Sequence, residues 1–387
     1  MAHSRGKEFL TALKQEETRS ATTMPVYRSD VVGSLLRPDY LKQARARFEA
    51  GELSDAAFKQ VEDRAVNEAI ALQEDAGLDV IADGEMRRYA FYGHFIDAVE
   101  GFDKFGGWAI PFHDEAGHEV VHRRPVVVAR LKRRRHLCAE EFSYLRARAT
   151  RPAKVTLINA QQAAAYYDGE RSRDAYPTID AYLADVVDIL RAEVAELIRL
   201  GCAYIQLDAP QYAGLLDPAI REGYRQRGND PDKLLDRCIE LDNAVIGEHP
   251  GVTFAIHLCR GNNQSKFYAS GGYDPIAAQV FQRTRFDRFL LEYDDERSGS
   301  FAPLQHVPED RTVVLGLVTT KKPALESADT LKRRIEEASR YVPLARLALS
   351  PQCGFASTQE GNLLTPADQE AKLRLVAEVA RSVWGSA

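Results

Sequence analysis

The sequence predicts an α/β fold of the (β/α)8 TIM-barrel class, with a β-hairpin insertion after the second strand. Eight short apolar, β-branched runs alternate with longer amphipathic stretches, the pattern of a parallel sheet wound with helices. No G-x-G-x-x-G follows the first run, which argues against an open dinucleotide-binding sheet. One stretch, about 102–136, breaks the rhythm with an alternation suited to a hairpin.

The strand-like runs are VYRSDVVGS (26–34), DVIADGE (79–85), KVTLIN (154–159), YIQLD (204–208), VTFAIHLC (252–259), RFLLEYD (288–294), TVVLGLV (312–318) and RLALSP (346–351). Helical patterns fill 55–77, 177–200, 231–247, 326–341 and 367–384. Over 177–200, Leu183, Val186, Val187, Leu190, Val194, Leu197 and Ile198 fall on one stripe, which predicts a helix with that face on the sheet. The insertion carries Arg130 and the run Lys132–Arg135, expected as a solvated basic face, with an anion-binding lid as the sharper alternative. Neither an internal repeat nor a low-complexity linker divides the chain. Residues 25–387 are therefore expected to form one catalytic domain, and the polar residues 1–24 a peripheral arm.

With 387 residues the chain can bury a large core without disulfide staples. A net charge of −6 gives no electrostatic reason to expect nucleic acid. Five cysteines, an odd number in a long chain, do not suggest a secreted disulfide framework. No apolar run approaches the roughly 20 residues that span a bilayer, and the N-terminus lacks a signal-peptide core. A reducing cytoplasmic setting without nucleic-acid or membrane partners is the expectation; the oligomeric state stays open.

In a parallel barrel, reactive side chains gather at the C-terminal ends of the strands. His257 and Cys259, two apart and so on one face, close the fifth run. Glu292 lies at the end of the sixth, Cys353 just beyond the eighth, Asp208 at the end of the fourth, Glu85 of the second and Ser34 of the first. Two thiolates and an imidazole suit Zn2+. Thiolate ligands weaken its Lewis acidity, which favours delivering a substrate thiolate over activating water. Glu292 is then a fourth ligand that an incoming sulfur can displace. Glu85 and Asp208 suit an ammonium group, unless Arg87, Arg88 or Arg260 claims them as ion-pair partners. Ser34 and neighbouring amides suit a carboxylate, so the set fits a zwitterionic amino acid. Cys138, Cys202 and Cys238 are expected to be packed, structural residues.

At these residues, and over about 27–384, the sequence resembles the catalytic domain of cobalamin-independent methionine synthase. The marks are H-x-C at 257–259, Glu292 followed by Arg297–Ser298, and P-x-C-G at 351–354. The resemblance implies that His257, Cys259, Glu292 and Cys353 bind catalytic zinc. It implies that Ser34 contacts the homocysteine carboxylate, and Glu85 and Asp208 its amino group. The implied activity is zinc-dependent methyl transfer to homocysteine, with a small-molecule methyl or alkyl donor, folate among the candidates. The chain departs from the family in reading GLVTTKKP where the family has a proton-relay histidine, which places Lys321 or a neighbour in that catalytic position. It also reads D-A-P at 208–210, matches the catalytic half alone, and offers only Tyr166 or Tyr167 for the aromatic that flanks folate. The V-T-T-K stretch resembles shorter relatives that include the epoxyalkane:coenzyme M transferases. A sulfonate there would need Lys321, Lys322, Arg260 or the basic insertion, and a corrinoid protein is a further possible methyl source. From a different class, the alternative is a barrel with a structural zinc and no thiol chemistry.

Overall fold

Parallel pairing dominates the computed structural model, which describes residues 26–385; the arm expected over 1–24 lies outside them. The described residues form ten strands. Four belong to the insertion: β1 (Val99–Asp103), β2 (Ala109–His113), β3 (Glu119–Arg123) and β4 (Val126–Arg133). The other six are β5 (Val155–Ile158), β6 (Tyr204–Asp208), β7 (Thr253–Leu258), β8 (Arg288–Glu292), β9 (Thr312–Val318) and β10 (Leu347–Pro351). They make one parallel sheet in sequence order.

The runs expected as the first two strands each make a single bridge, Ser29 with Leu349 and Ile81 with Ala153. For the first run the reason is a tertiary contact. The Asp79 carboxylate accepts the amides of Arg28 (2.7 Å) and Ser29 (3.0 Å), donors that a longer ladder would use. Main-chain bonds nevertheless run from Asp30 N–H to the Leu349 carbonyl (2.9 Å), from Asp79 N–H to Ser29 (3.3 Å) and from Lys154 N–H to Ile81 (2.9 Å).

Side chains alternate across the sheet, and the two faces differ. One face packs on the helices in the main core. The other forms a small separate cluster of Val32, Val80, Tyr204, Ala255, Leu290, Val314 and Ala348, each from a different segment. Beside it lies a buried polar network: Asp30 accepts from Lys154 Nζ (2.7 Å), the Tyr204 hydroxyl (2.7 Å) and Arg288 (3.3 Å).

The helix Ile179–Arg199 illustrates the outer layer. Thr178 caps it by accepting the Ala181 amide at 3.2 Å, and Asp180 and Arg199 complement the helix dipole at its two ends. Of its predicted stripe, Leu183, Val186, Val187, Leu190, Val194 and Leu197 are buried and Ile198 is half-buried. Each fully buried aliphatic side chain there contributes about 1.5–3 kcal/mol relative to exposure. Helices Asp39–Glu49 and Pro218–Gln226 were not expected; the second buries no residue fully.

In the insertion β1 pairs antiparallel with β4, and β2 with β3 between them. The inner pair folds back onto the loop after β7, where His113 and Phe267 exchange main-chain hydrogen bonds of 2.9 and 3.0 Å. In the basic run Arg130 pairs with Asp185 and Arg134 with Glu100 on the surface. Among the described residues no helix is long and apolar enough to cross a membrane.

Candidate metal centre and substrate cavity

Parallel strands deliver their C-terminal ends to one side of the sheet, and three soft donors meet there. His257 is the penultimate residue of β7, Cys259 follows that strand directly, and Cys353 lies two residues beyond β10. One imidazole nitrogen and the two Sγ atoms lie within 4.8 Å of one another, and all three residues are buried. Neither nitrogen of His257 has a hydrogen-bond partner among the described residues, although buried polar atoms nearly always find one. The facing Cys353 thiol holds Cys259 well below the usual thiol range, and that same contact pushes Cys353 well above it. Burial disfavours a charged His257, but Cys259 and the Asp208 and Glu292 carboxylates outweigh burial and raise it. Unpartnered nitrogen, paired sulfurs and concentrated negative charge fit a bound Zn2+.

Glu292 ends β8 and is fully buried, but it is not one of the three clustered donors. Its Oε2 accepts the Arg260 amide at 2.6 Å. Among the described residues its Oε1 has no hydrogen bond, and it lies 3.6 Å from Lys321 Nζ and 3.5 Å from Arg297. Burial works against its charge, yet Lys321, Arg260 and Arg297 hold its carboxyl below the usual range. Lys321 lies behind Glu292 and lines a second cavity with Asp294 and Arg297, rather than the cavity of the cysteines. Arg260 is committed to the structure, donating to the Glu292 carbonyl (3.1 Å) and to Gly271 (2.6 Å).

Ser34, Glu85 and Asp208 line one cavity with His257, Cys259 and Cys353. Two main-chain bonds assemble it: Leu35 N–H to Gly84 at 3.0 Å, and Phe355 N–H to Ser34 at 2.8 Å. Gly354 is required by this approach, because a Cβ there would land on the Ser34 hydroxyl. Glu85 adopts a φ of +55°, a left-handed conformation that side chains rarely take, and Arg37 holds its carbonyl at 2.9 Å. Its Oε1 accepts from Thr156 (2.7 Å), while its buried Oε2 has no partner among the described residues. Arg88, the expected rival, is 3.4 Å from Glu85 but 2.7 Å from Glu141, and Arg87 pairs with Asp63 at 2.5 Å. Among the described residues the Asp208 carboxylate accepts only from Gln206 (2.8 Å), and burial, reinforced by Glu85, pushes it up to about 7. Both acids keep a capacity for hydrogen bonding that faces the cavity.

The remaining wall was not foreseen. Phe91, Tyr92 and Tyr268 line it with Ile110, Phe112, His122 and Arg124, the last four from the insertion. The signal was present in the alternation, since Ile110 and Phe112 share a face and Ile110 pairs with His122. Tyr166 and Tyr167 do not contribute: Tyr166 is buried with its hydroxyl accepting from Gln162 (2.8 Å), and Tyr167 donates to Tyr176 (3.0 Å). Asn262, also unforeseen, lines the cavity and donates to the Gly354 carbonyl at 2.7 Å. Cys138, Cys202 and Cys238 are buried outside the cluster with thiols raised by burial, and all five cysteines are unbridged.

Comparison with known proteins follows the same lines. The uncharacterized protein YxjG of Bacillus subtilis is 38% identical over 365 residues, covering 93% of this chain and 95% of its own. A methionine synthase of Pyrococcus abyssi is 25% identical, covering 86% and 87%. A solved structure of a candidate vitamin-B12-independent methionine synthase from Listeria monocytogenes superposes with a TM-score of 0.71 at 28% identity, covering 94% of this chain and 100% of that one. The family model for the cobalamin-independent synthase catalytic domain matches residues 28–381, and the chain belongs to that family.

Proposed function

We propose that this chain is a zinc-dependent methyltransferase that methylates the thiol of homocysteine to give methionine. The observation that carries the reading is one cavity shared by three buried soft donors, two incompletely partnered carboxyls and a serine. His257, Cys259 and Cys353 would hold the metal, with Glu292 as the exchangeable fourth ligand. When bound, zinc supplies the Lewis acidity that keeps a substrate thiol deprotonated near neutral pH.

The chain's own groups do the positioning. Ser34 and the amides around Gly354 hold the amino-acid carboxylate. Glu85 and Asp208 hold its ammonium, which leaves the side-chain sulfur directed at the cysteine cluster. The aromatic wall excludes water from the reacting atoms. A carbon–sulfur bond forms as the donor's bond to the methyl carbon breaks, and the electron pair stays on the donor's leaving atom. Lys321, set against Glu292, acts as a positioning residue that balances its charge whether or not that carboxylate is engaged. The bonds linking β10, 28–30, 79–81 and 153–155 support closure of the sheet into an eight-strand barrel with the cavity at its mouth. A reducing cytoplasmic compartment suits ligand cysteines that must stay unbridged.

The test is metal content with and without the ligands. Purified protein should carry about one zinc per chain by plasma mass spectrometry. Cys259→Ser and Cys353→Ser should lose zinc and activity with unchanged circular dichroism, since both lie beyond the strands. A fully active, metal-free preparation would falsify the proposal.

A further inference from the structure

The cysteine-lined cavity holds acids in one part and a guanidinium in another. Arg124 follows β3 in the insertion, and its amide donates to the Trp108 carbonyl at 3.2 Å, which fixes the register that turns the residue to the cavity. Its side chain is half-buried. Among the described residues no carboxylate oxygen lies within 4.0 Å of it, and its guanidinium makes no hydrogen bond. The titratable groups acting on it most strongly are Tyr268, Tyr166, Tyr224 and Tyr92.

That isolation sets Arg124 apart from the other cations near the site. Arg88 is paired with Glu141, Arg260 is spent on main-chain carbonyls, Lys321 faces Glu292 and Lys322 pairs with Glu115 at 2.9 Å. A guanidinium carries five donors and no acceptor, and this one, half-buried and lining the cavity, leaves them open to a ligand. Its planar fork matches an oxyanion. Beside the cavity, Phe112 and Tyr268 meet edge to face with centroids 5.6 Å apart, an apolar surface for the carbon framework of a ligand.

We propose that Arg124 is the cavity's anion anchor, binding a carboxylate, sulfonate or phosphate oxygen of a substrate whose other end reaches the cysteine cluster. This rests on the thiol-transfer reading above. The oxyanion belongs either to the donor, bound beside an amino-acid thiol, or to the tail of an acidic thiol that takes the acceptor's place.

Calorimetric titration of the zinc-loaded full chain separates these sources. One probe is 4-aminobenzoylglutamate, added to homocysteine-saturated protein; the other is 2-mercaptoethanesulfonate, added alone. Arg124→Gln should weaken one probe by about tenfold to a hundredfold, the size of a lost charge-assisted hydrogen bond, and the probe affected identifies the source. Arg124→Lys, which keeps the charge but loses the fork, should weaken the same probe less, and it decides the matter if the glutamine variant does not fold. Binding of both probes unchanged in the variants, or no binding of either to the wild type, overturns the proposal. Zinc content and homocysteine affinity, measured on the same samples, should be unaltered by either substitution. Wild-type protein that takes up no zinc would count against the metal reading separately.

Discussion

Asp208 ends β6 beside His257 of β7, with Gln206 as its hydrogen-bond partner and burial lifting its carboxyl to about 7. A group so placed is neutral below that value and charged above it, and only the charged form holds an ammonium well. Affinity for L-methionine, whose thioether carries no titrating proton, should therefore rise from pH 6 to pH 8. Asp208→Asn should flatten that rise and weaken binding by roughly tenfold, the worth of one charged hydrogen bond, with zinc retained. Calorimetry across this range checks it, and a pH-independent wild-type affinity would remove Asp208 from the ammonium role. Gly354→Ala tests the other end of the acceptor. Its methyl group would collide with the Ser34 hydroxyl, so the acceptor KM should rise by about tenfold or more while circular dichroism is preserved. An unchanged KM would separate Ser34 from acceptor binding.

The insertion is an element whose position matters more than its stability. The inner pair β2–β3 does not join the sheet β5 to β10; it meets the rest of the fold through the His113–Phe267 exchange, the Tyr92–His122 hydrogen bond (2.7 Å), the Phe112–Tyr268 ring contact and the Lys322–Glu115 ion pair. Replacing 108–124 with a short Gly-Ser turn should leave one cooperative thermal transition and full zinc content. Turnover should fall by about a hundredfold or more, because positioning and water exclusion at the cavity wall are lost together. Retained turnover would mean that the wall serves neither purpose. The helix Ile179–Arg199 offers a contrasting case, in which the energetics are local. Thr178→Ala removes its cap, and a urea titration should show a loss of about 1 kcal/mol.

At the scale of the whole molecule, the sheet interior depends on Asp30, Lys154, Tyr204 and Arg288 staying paired. Burial alone would raise Asp30, but Lys154 and Arg288 hold it below the usual aspartate range. A carboxyl depressed on folding adds stability above its unfolded pKa, and that contribution fades as pH falls through the folded value. Lys154→Met should cost about 3–5 kcal/mol at pH 7 by leaving a buried charge short of its partner. Urea titrations from pH 3 to pH 7 should show the deficit shrinking toward acid; a constant deficit would assign the cost to packing. Much of this architecture was legible in the chain. Runs 204–208 and 312–318 coincide with β6 and β9, because alternation and β-branching act between near neighbours. The meeting of His257, Cys259 and Cys353 was legible too, since parallel strands must present their C-terminal ends on one side. Tertiary structure alone decided the rest. Asp79 takes the amides of Arg28 and Ser29, 51 and 50 residues away, and leaves the first expected strand a bridge. Lys321 comes to rest behind Glu292, and a contact between His113 and Phe267 carries Arg124 to the cavity. Local sequence specifies which backbone shapes form and which way side chains alternate. The partners that distant loops and charges find are set only when the chain closes on itself.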